Sequence, residues 1–153
     1  TAGAKMMLRV TSAYARIRKQ FGLPVSRMEG VEEPLVRIIE TAYVNEAARA
    51  ITASMVSRGE KPSVISALMK YQTTEKLRRT VNDAMDIHGG RAICDGPSNY
   101  LQSAYQMVPV GITVEGDAKF DYVCARGTAL APISLQGSTI SAGSRSRAWA
   151  CGV

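Results

Sequence analysis

SVISALMKYQTTEKLRRTVNDAMDIHGG, residues 63–90, decides how this chain folds. Val64, Leu68, Tyr71, Leu77, Val81, Ala84, Met85 and His88 recur along it mostly at three- and four-residue steps. That spacing lines one face of an α-helix with apolar groups. Ser63 is suited to cap the first turn, and Gly89-Gly90 supplies the glycine stop favoured just past a helix end. The spacing predicts one long helix that follows Ser63 and is closed by Gly89-Gly90. At a rise of about 1.5 Å per residue it runs for about 35–40 Å.

The segments on either side extend the same pattern. Leu35, Ile38, Ile39, Ala42, Tyr43, Ala47, Ala50, Ile51 and Met55 mark an apolar stripe on a second long helix that stops at Gly59. Pro34 fits just inside its start, where a missing N–H does no harm. Only Glu60-Lys61-Pro62 separates the two helices, and a connection that short implies antiparallel neighbours. Met6, Met7, Val10, Tyr14, Ile17 and Phe21 place an amphipathic helix over residues 4–21, ended by Gly22 and Pro24. Beyond Gly90 the pattern weakens. Asp95-Gly96-Pro97-Ser98 reads as a turn, and Tyr100, Leu101, Ala104, Tyr105 and Val108 suggest a short helix interrupted by Pro109. No segment reads as strand-rich. The expected fold is all-α: an antiparallel helical bundle over residues 1–120 with an incomplete fourth helix. Residues 121–153 contain no Lys and no Glu, are rich in Ala, Ser, Gly and Arg, and sustain no stripe. They read as an atypical tail.

Composition narrows the functional classes. The chain has 153 residues, 46% hydrophobic and 21% charged, enough for one domain with a real core. No apolar run approaches the length of a bilayer span. Thr1 begins no secretory segment, and its place at the start reads as that of an excised piece. Three cysteines (Cys94, Cys124, Cys151), without CxxC spacing, and a single histidine argue against a disulfide framework and against a metal site. A reducing compartment, the cytoplasm, is the expectation. The net charge is +6, with basic clusters at Arg16-Ile17-Arg18-Lys19 and Lys76-Leu77-Arg78-Arg79. Aromatic residues do not alternate with them, which argues against a nucleic-acid partner. Each cluster fits a phosphate-bearing ligand or a solvated helix face. The methionines read as core filling, and His88 as a histidine packing at a helix end.

Glu115 is the most suggestive single residue. It follows a run, Ala104 to Val114, that holds no acid or base. A carboxylate poorly solvated after such a run has a raised pKa, which suits a general base. Position alone fits equally a surface glutamate at a helix end.

Three motifs in order carry a resemblance. Ala15-Arg16-Ile17-Arg18-Lys19-Gln20-Phe21-Gly22, then Asp83-Ala84-Met85-Asp86-Ile87-His88-Gly89-Gly90, then Tyr105-Gln106 through Ile112-Thr113-Val114-Glu115-Gly116 resemble segments of the acyl-CoA dehydrogenases. Met28 to Pro34 and Gly59 to Ser63 are similar to the large bacterial members of fatty-acid β-oxidation. The resemblance spans residues 3–116 and covers the family's C-terminal helical domain. It implies FAD as cofactor and a fatty acyl-CoA as substrate, oxidised to the trans-2-enoyl-CoA. It implies Glu115 as the base that removes the α-proton while hydride leaves the β-carbon for the flavin. It gives Arg18, Gln20 and Phe21 as FAD contacts across a subunit interface, and Asp86, Gly89 and Gly90 as a second FAD contact region. It also implies a homo-oligomer, electron-transfer flavoprotein or a similar acceptor as partner, peripheral membrane association of the full-length enzyme, and an isolated fragment without turnover. The chain departs from the family pattern where Asp117-Ala118-Lys119-Phe120 runs into the atypical tail in place of a long arginine-bearing helix. The alternative reading is a non-enzymatic helical module for oligomer or partner contact.

Overall fold

The structure is a computed structural model that describes residues 1–114. Its first helix, α1 (Ala2–Ile17), leads into a hairpin of β1 (Lys19–Gln20) and β2 (Leu23–Pro24), then a single 3₁₀ turn at Val25–Arg27. The long helices α2 (Glu29–Ser57) and α3 (Ser63–His88) follow, then the four-residue α4 (Gly90–Ile93) and α5 (Gln102–Thr113). Gly59, at a φ of +83°, makes the reversal between α2 and α3, a backbone state that glycine adopts without steric cost.

α1, α2 and α3 pack on one another, and α5 packs along α3. Ion pairs fix the relative order of the long helices. Arg37 on α2 donates from Nη2 and Nε to both carboxylate oxygens of Asp83 on α3, at 2.8 and 3.1 Å. Lys76 on α3 lies 3.6 Å from Glu40 on α2, and Lys5 on α1 lies 3.1 Å from Glu46 on α2. The two α2–α3 crossings run in opposite chain directions, so α2 is antiparallel to α3. The core between the helices is Met7, Ile38, Val81 and Ala84, closed at one end by Ala92 and Leu101. Among the described residues no helix is long and apolar enough to cross a membrane.

The all-α bundle expected from the sequence is the fold observed. Four local expectations need correction. α1 stops at Ile17, not at 21: Arg18 turns extended (φ −69°, ψ 125°), and Phe21 and Gly22, both at positive φ (52° and 80°), make a two-residue hairpin turn. Two positive φ values in a row match the twist of the flanking strands. Ile17 and Phe21 extend the helical spacing but are 77% and 96% exposed, so no packing rewards continuing the helix. α2 begins at Glu29, which leaves Pro34 inside it. The carbonyl that Pro34 leaves without a donor belongs to Gly30, which is exposed and can bond to water. α5 likewise continues through Pro109 to Thr113, because the deprived carbonyl belongs to the half-exposed Tyr105. Ser63 is the first residue of α3 and makes no side-chain cap.

The apolar stripe of α2 divides between two opposite faces. Ile38 and Ala42 are buried, joined by Thr41 and Asn45, whereas Ile39, Tyr43, Ala47, Ala50 and Ile51 face outward with Val36. Inner and outer positions therefore differ sharply in worth. Ile38 is 0% exposed and Ile51 64%. We expect Ile38→Ala to destabilise the chain by about 2–5 kcal/mol in urea unfolding, and Ile51→Ala by under about 0.5 kcal/mol.

Candidate cofactor groove

The C-terminal ends of α1 and α3 meet side by side, and this junction builds the site. α1 releases the chain at Arg18, whose N–H still bonds to Tyr14 O at 2.8 Å, and the Arg18 carbonyl then accepts from Val25 N–H at 2.8 Å. Arg18 is thereby held between helix and hairpin. α3 ends at Gly89, whose φ of +59° turns the chain into α4. Its N–H donates to Met85 O at 2.8 Å.

Between the two ends lies a groove of about 680 Å³. Val10, Ala13, Tyr14 and Ile17 give it an apolar wall, and Arg18, Lys19, Arg91 and Tyr100 line the rest. Its charge is one-sided. No acid among the described residues pairs with Arg18, Lys19 or Arg91, although Lys5, Arg37, Arg49 and Lys76 each have an acidic partner. Cations left uncompensated beside an apolar wall suit an anionic ligand that also carries a flat apolar part.

Behind the groove His88 is 6% exposed. Its Nδ1 lies 2.8 Å from Ala84 O, and its Nε2 2.9 Å from the Tyr100 hydroxyl. A carbonyl can only accept, so Nδ1 carries the proton and Nε2 accepts from Tyr100. The Tyr14 ring stacks on the imidazole at a centroid distance of 4.0 Å and 23° between planes. Burial pushes the His88 pKa below its ordinary value, against the bond to Ala84 O, and pushes the Tyr100 pKa up. Asn99 fixes the adjoining loop. Its Oδ1 accepts from Leu101 and Gln102 N–H at 2.9 and 3.0 Å, capping α5. Its Nδ2 donates to Ala92 O and Cys94 O at 2.9 and 2.7 Å, closing α4.

Of the site residues expected from sequence, Arg18 alone lines this groove. Gly89 and Gly90 end α3 next to Arg91 but do not line the groove. Gln20 and Phe21 project from the hairpin, and Asp86 is exposed on α3. Glu115 lies outside the described residues, one position past Val114, the residue that caps α5. Lys19, Tyr14, Tyr100 and Arg91 were not singled out individually. Tyr14 and Tyr100 read as helix-face residues, and Arg91 is brought in by the turn at Gly89. The second basic cluster is not comparable, since Lys76 faces Glu40 and the Arg37–Asp83 pair lies in the same groove. Among the described residues no three His, Cys, Asp or Glu side chains gather at one point.

The family model for the acyl-CoA dehydrogenase C-terminal domain matches residues 1–119. The chain belongs to the acyl-CoA dehydrogenase family, as its C-terminal domain. The chain is 34% identical over 77 residues to a 3-(aryl)acrylate reductase of Clostridium sporogenes, an alignment of 50% of this chain and 20% of that protein. Its fold superposes on an acyl-CoA dehydrogenase of Geobacillus kaustophilus with a TM-score of 0.79 at 19% identity, over 84% of this chain and 33% of that one. The FAD complex of PigA gives 0.73 at 18% identity, over 83% and 33%. At such identities the structures establish the shared fold. The dehydrogenase domain thus spans a fifth to a third of the length of these relatives.

His88 makes stability depend on pH. Its folded pKa lies below the ordinary 6.5, so the unfolded chain binds the proton more readily. Its stabilising effect is complete above the unfolded value and drains as pH falls through 6.5 towards the folded one. Glu46, held near 2 by Arg49 and Lys5, keeps its contribution until far lower pH. Thermal unfolding should show Tm level above about pH 7.5 and declining from about pH 6.5 downward, with a flatter profile in His88→Gln.

Proposed function

We propose that this domain supplies one side of a FAD site and the catalytic base of an enzyme that oxidises fatty acyl-CoA to trans-2-enoyl-CoA. The uncompensated Arg18–Lys19–Arg91 groove beside Gly89-Gly90 carries the reading. The guanidinium groups of Arg18 and Arg91 would hold the cofactor's phosphates through charge-assisted hydrogen bonds.

Two backbone features support a ligand at this surface. Gly90 does not take a positive φ, and a Cβ built there meets no atom within 4 Å. The backbone there is open, as at Gly30 and Gly111, so a ligand can lie against it. Phe21 holds a left-handed φ of 52° while 96% exposed. The hairpin turn sets that φ, and the exposed ring is left free for a flat ligand to stack on.

Glu115, two residues past the end of α5, takes the α-proton of the thioester substrate. The flavin, when bound, accepts the hydride from the β-carbon. The uncharged surface of α5 keeps the approach to the base free of competing charge. The segments Met28 to Pro34 and Gly59 to Ser63 favour a fatty acyl chain over an aryl one. Electron-transfer flavoprotein or a similar acceptor then reoxidises the cofactor. The outward apolar face of α2 supports a homo-oligomer, in which the hairpin of one copy reaches the flavin of another.

Flavin-fluorescence quenching tests the cofactor site. Arg18→Ala should weaken FAD binding by about tenfold. Phe21→Asn and Gly90→Ala should each raise thermal stability or leave it unchanged, and still weaken FAD binding. Tight FAD binding indifferent to all three substitutions would sink the assignment. The chain mixed with FAD and a long-chain acyl-CoA should leave the flavin unbleached, and bleaching lost in Glu115→Gln would show that the chain alone suffices.

A further inference from the structure

His88 is absent from the groove's own lining and faces a small adjoining pocket that shares Tyr14, Arg91 and Tyr100 with it, and both aromatic residues that line the groove are held by it. Tyr14 lies face to face with the imidazole at 4.0 Å, and its hydroxyl donates to His88 O at 3.4 Å. Tyr100 meets the same imidazole edge-on, with centroids 5.7 Å apart and planes at 83°, and its hydroxyl donates to Nε2. Tyr14 and Tyr100 come from elements far apart in sequence, and this imidazole touches both. The Nδ1–H bond to Ala84 O stops the imidazole from rotating, so both phenols inherit a fixed orientation. Tyr100, still 41% exposed, spends its hydroxyl inward and leaves its ring towards the groove.

We propose that His88 is a positioning residue for the groove: as its Nδ1–H tautomer it sets Tyr14 and Tyr100 as two aromatic jaws beside Arg18 and Arg91, so that the groove grips the planar base of a phosphate-bearing ligand as well as its phosphates. The proposal rests on reading the groove as a phosphate-ligand site and adds how the flat part is held. It divides the labour between two sets of groups. The cations bind phosphate with little regard to what the phosphate is attached to. The tyrosines bind the base, and do so only while His88 accepts from Tyr100. A core histidine with no role in binding would affect stability alone.

The chain contains a single histidine, so its ring nitrogens give one unambiguous pair of ¹⁵N resonances. Two probes, ADP and inorganic pyrophosphate, would be titrated by calorimetry into the full chain and into Tyr100→Phe, His88→Asn and His88→Gln. In the parent chain the ¹⁵N spectrum should show Nδ1 protonated and Nε2 bare. Tyr100→Phe keeps the ring and removes only the donor. It should shift the Nε2 resonance, weaken ADP by about fivefold, and leave pyrophosphate within about twofold. His88→Asn, which keeps a donor for Ala84 O but loses the acceptor, should match Tyr100→Phe. His88→Gln, whose amide oxygen can reach the Tyr100 hydroxyl, should recover part of the ADP affinity. An Nε2–H tautomer, or equal ADP affinity in all folded variants that still bind pyrophosphate, overturns the positioning role and leaves the phosphate site standing. Equal losses for ADP and pyrophosphate point to general loosening and also overturn it. Failure of the parent chain to bind either probe overturns the phosphate-site reading and this proposal together.

Discussion

The stack of Tyr14 on His88 joins the last turn of α1 to the last turn of α3, and the rest of the site depends on that join. Two helices in a bundle share a long apolar contact that resists separation but tolerates small slides. A flat ring contact at 4.0 Å, locked by a hydrogen bond from the imidazole to Ala84 O, permits no such slide. It holds the exit of α1, where Arg18 turns extended, level with the exit of α3, where Gly89 turns the chain. Arg18, Lys19 and Arg91 sit on the two segments that leave those exits, so their spacing across the groove follows from one aromatic contact.

Charge on this chain is distributed with the same economy. Lys5, Arg37, Arg49 and Lys76 face acids across or along the helices, where exposed pairs contribute little stability but set the helix order. The groove cations have no such partner among the described residues. Like charges gathered without a counter-ion cost the free chain something, and an anionic ligand removes that cost when it binds. Phe21 at the hairpin turn leaves a large apolar ring uncovered. Sites where local rules are broken without local compensation are where a ligand or partner is expected. The outward face of α2, with Tyr43 77% exposed and Ile51 64%, belongs with them.

Much of the fold could be read before any coordinates. The stripe from Val64 to His88 and the stop at Gly89 mark α3, with its start one residue off because Ser63 is the first helical residue and makes no cap. The errors share a cause. Ile17 and Phe21 continue a helical spacing, but periodicity registers apolarity and not whether a neighbour covers it. Pro34 and Pro109 read as boundaries because a proline removes a helix hydrogen bond. That loss is small where the freed carbonyl faces water, and facing water is a property of the packed molecule. The α2 stripe merged two faces for the same reason: an outward apolar row and an inward one look alike in a linear string.

The site divides along a similar line. Arg18, Gly89 and Gly90 stand in short motifs, and of the three only Arg18 lines the groove. The order of residues also determined, by itself, the helical class, the antiparallel return at Gly59 and the membership of a family. Tyr14, Arg91 and Tyr100 gained a role only when the bundle closed, since they stand 77 and 86 positions from the first to the last two in the chain. The tautomer of His88 was likewise out of reach of the string. It depends on which oxygen faces which nitrogen, and that is decided by helices packing at fixed depth and rotation, an outcome of the whole core and of no single segment.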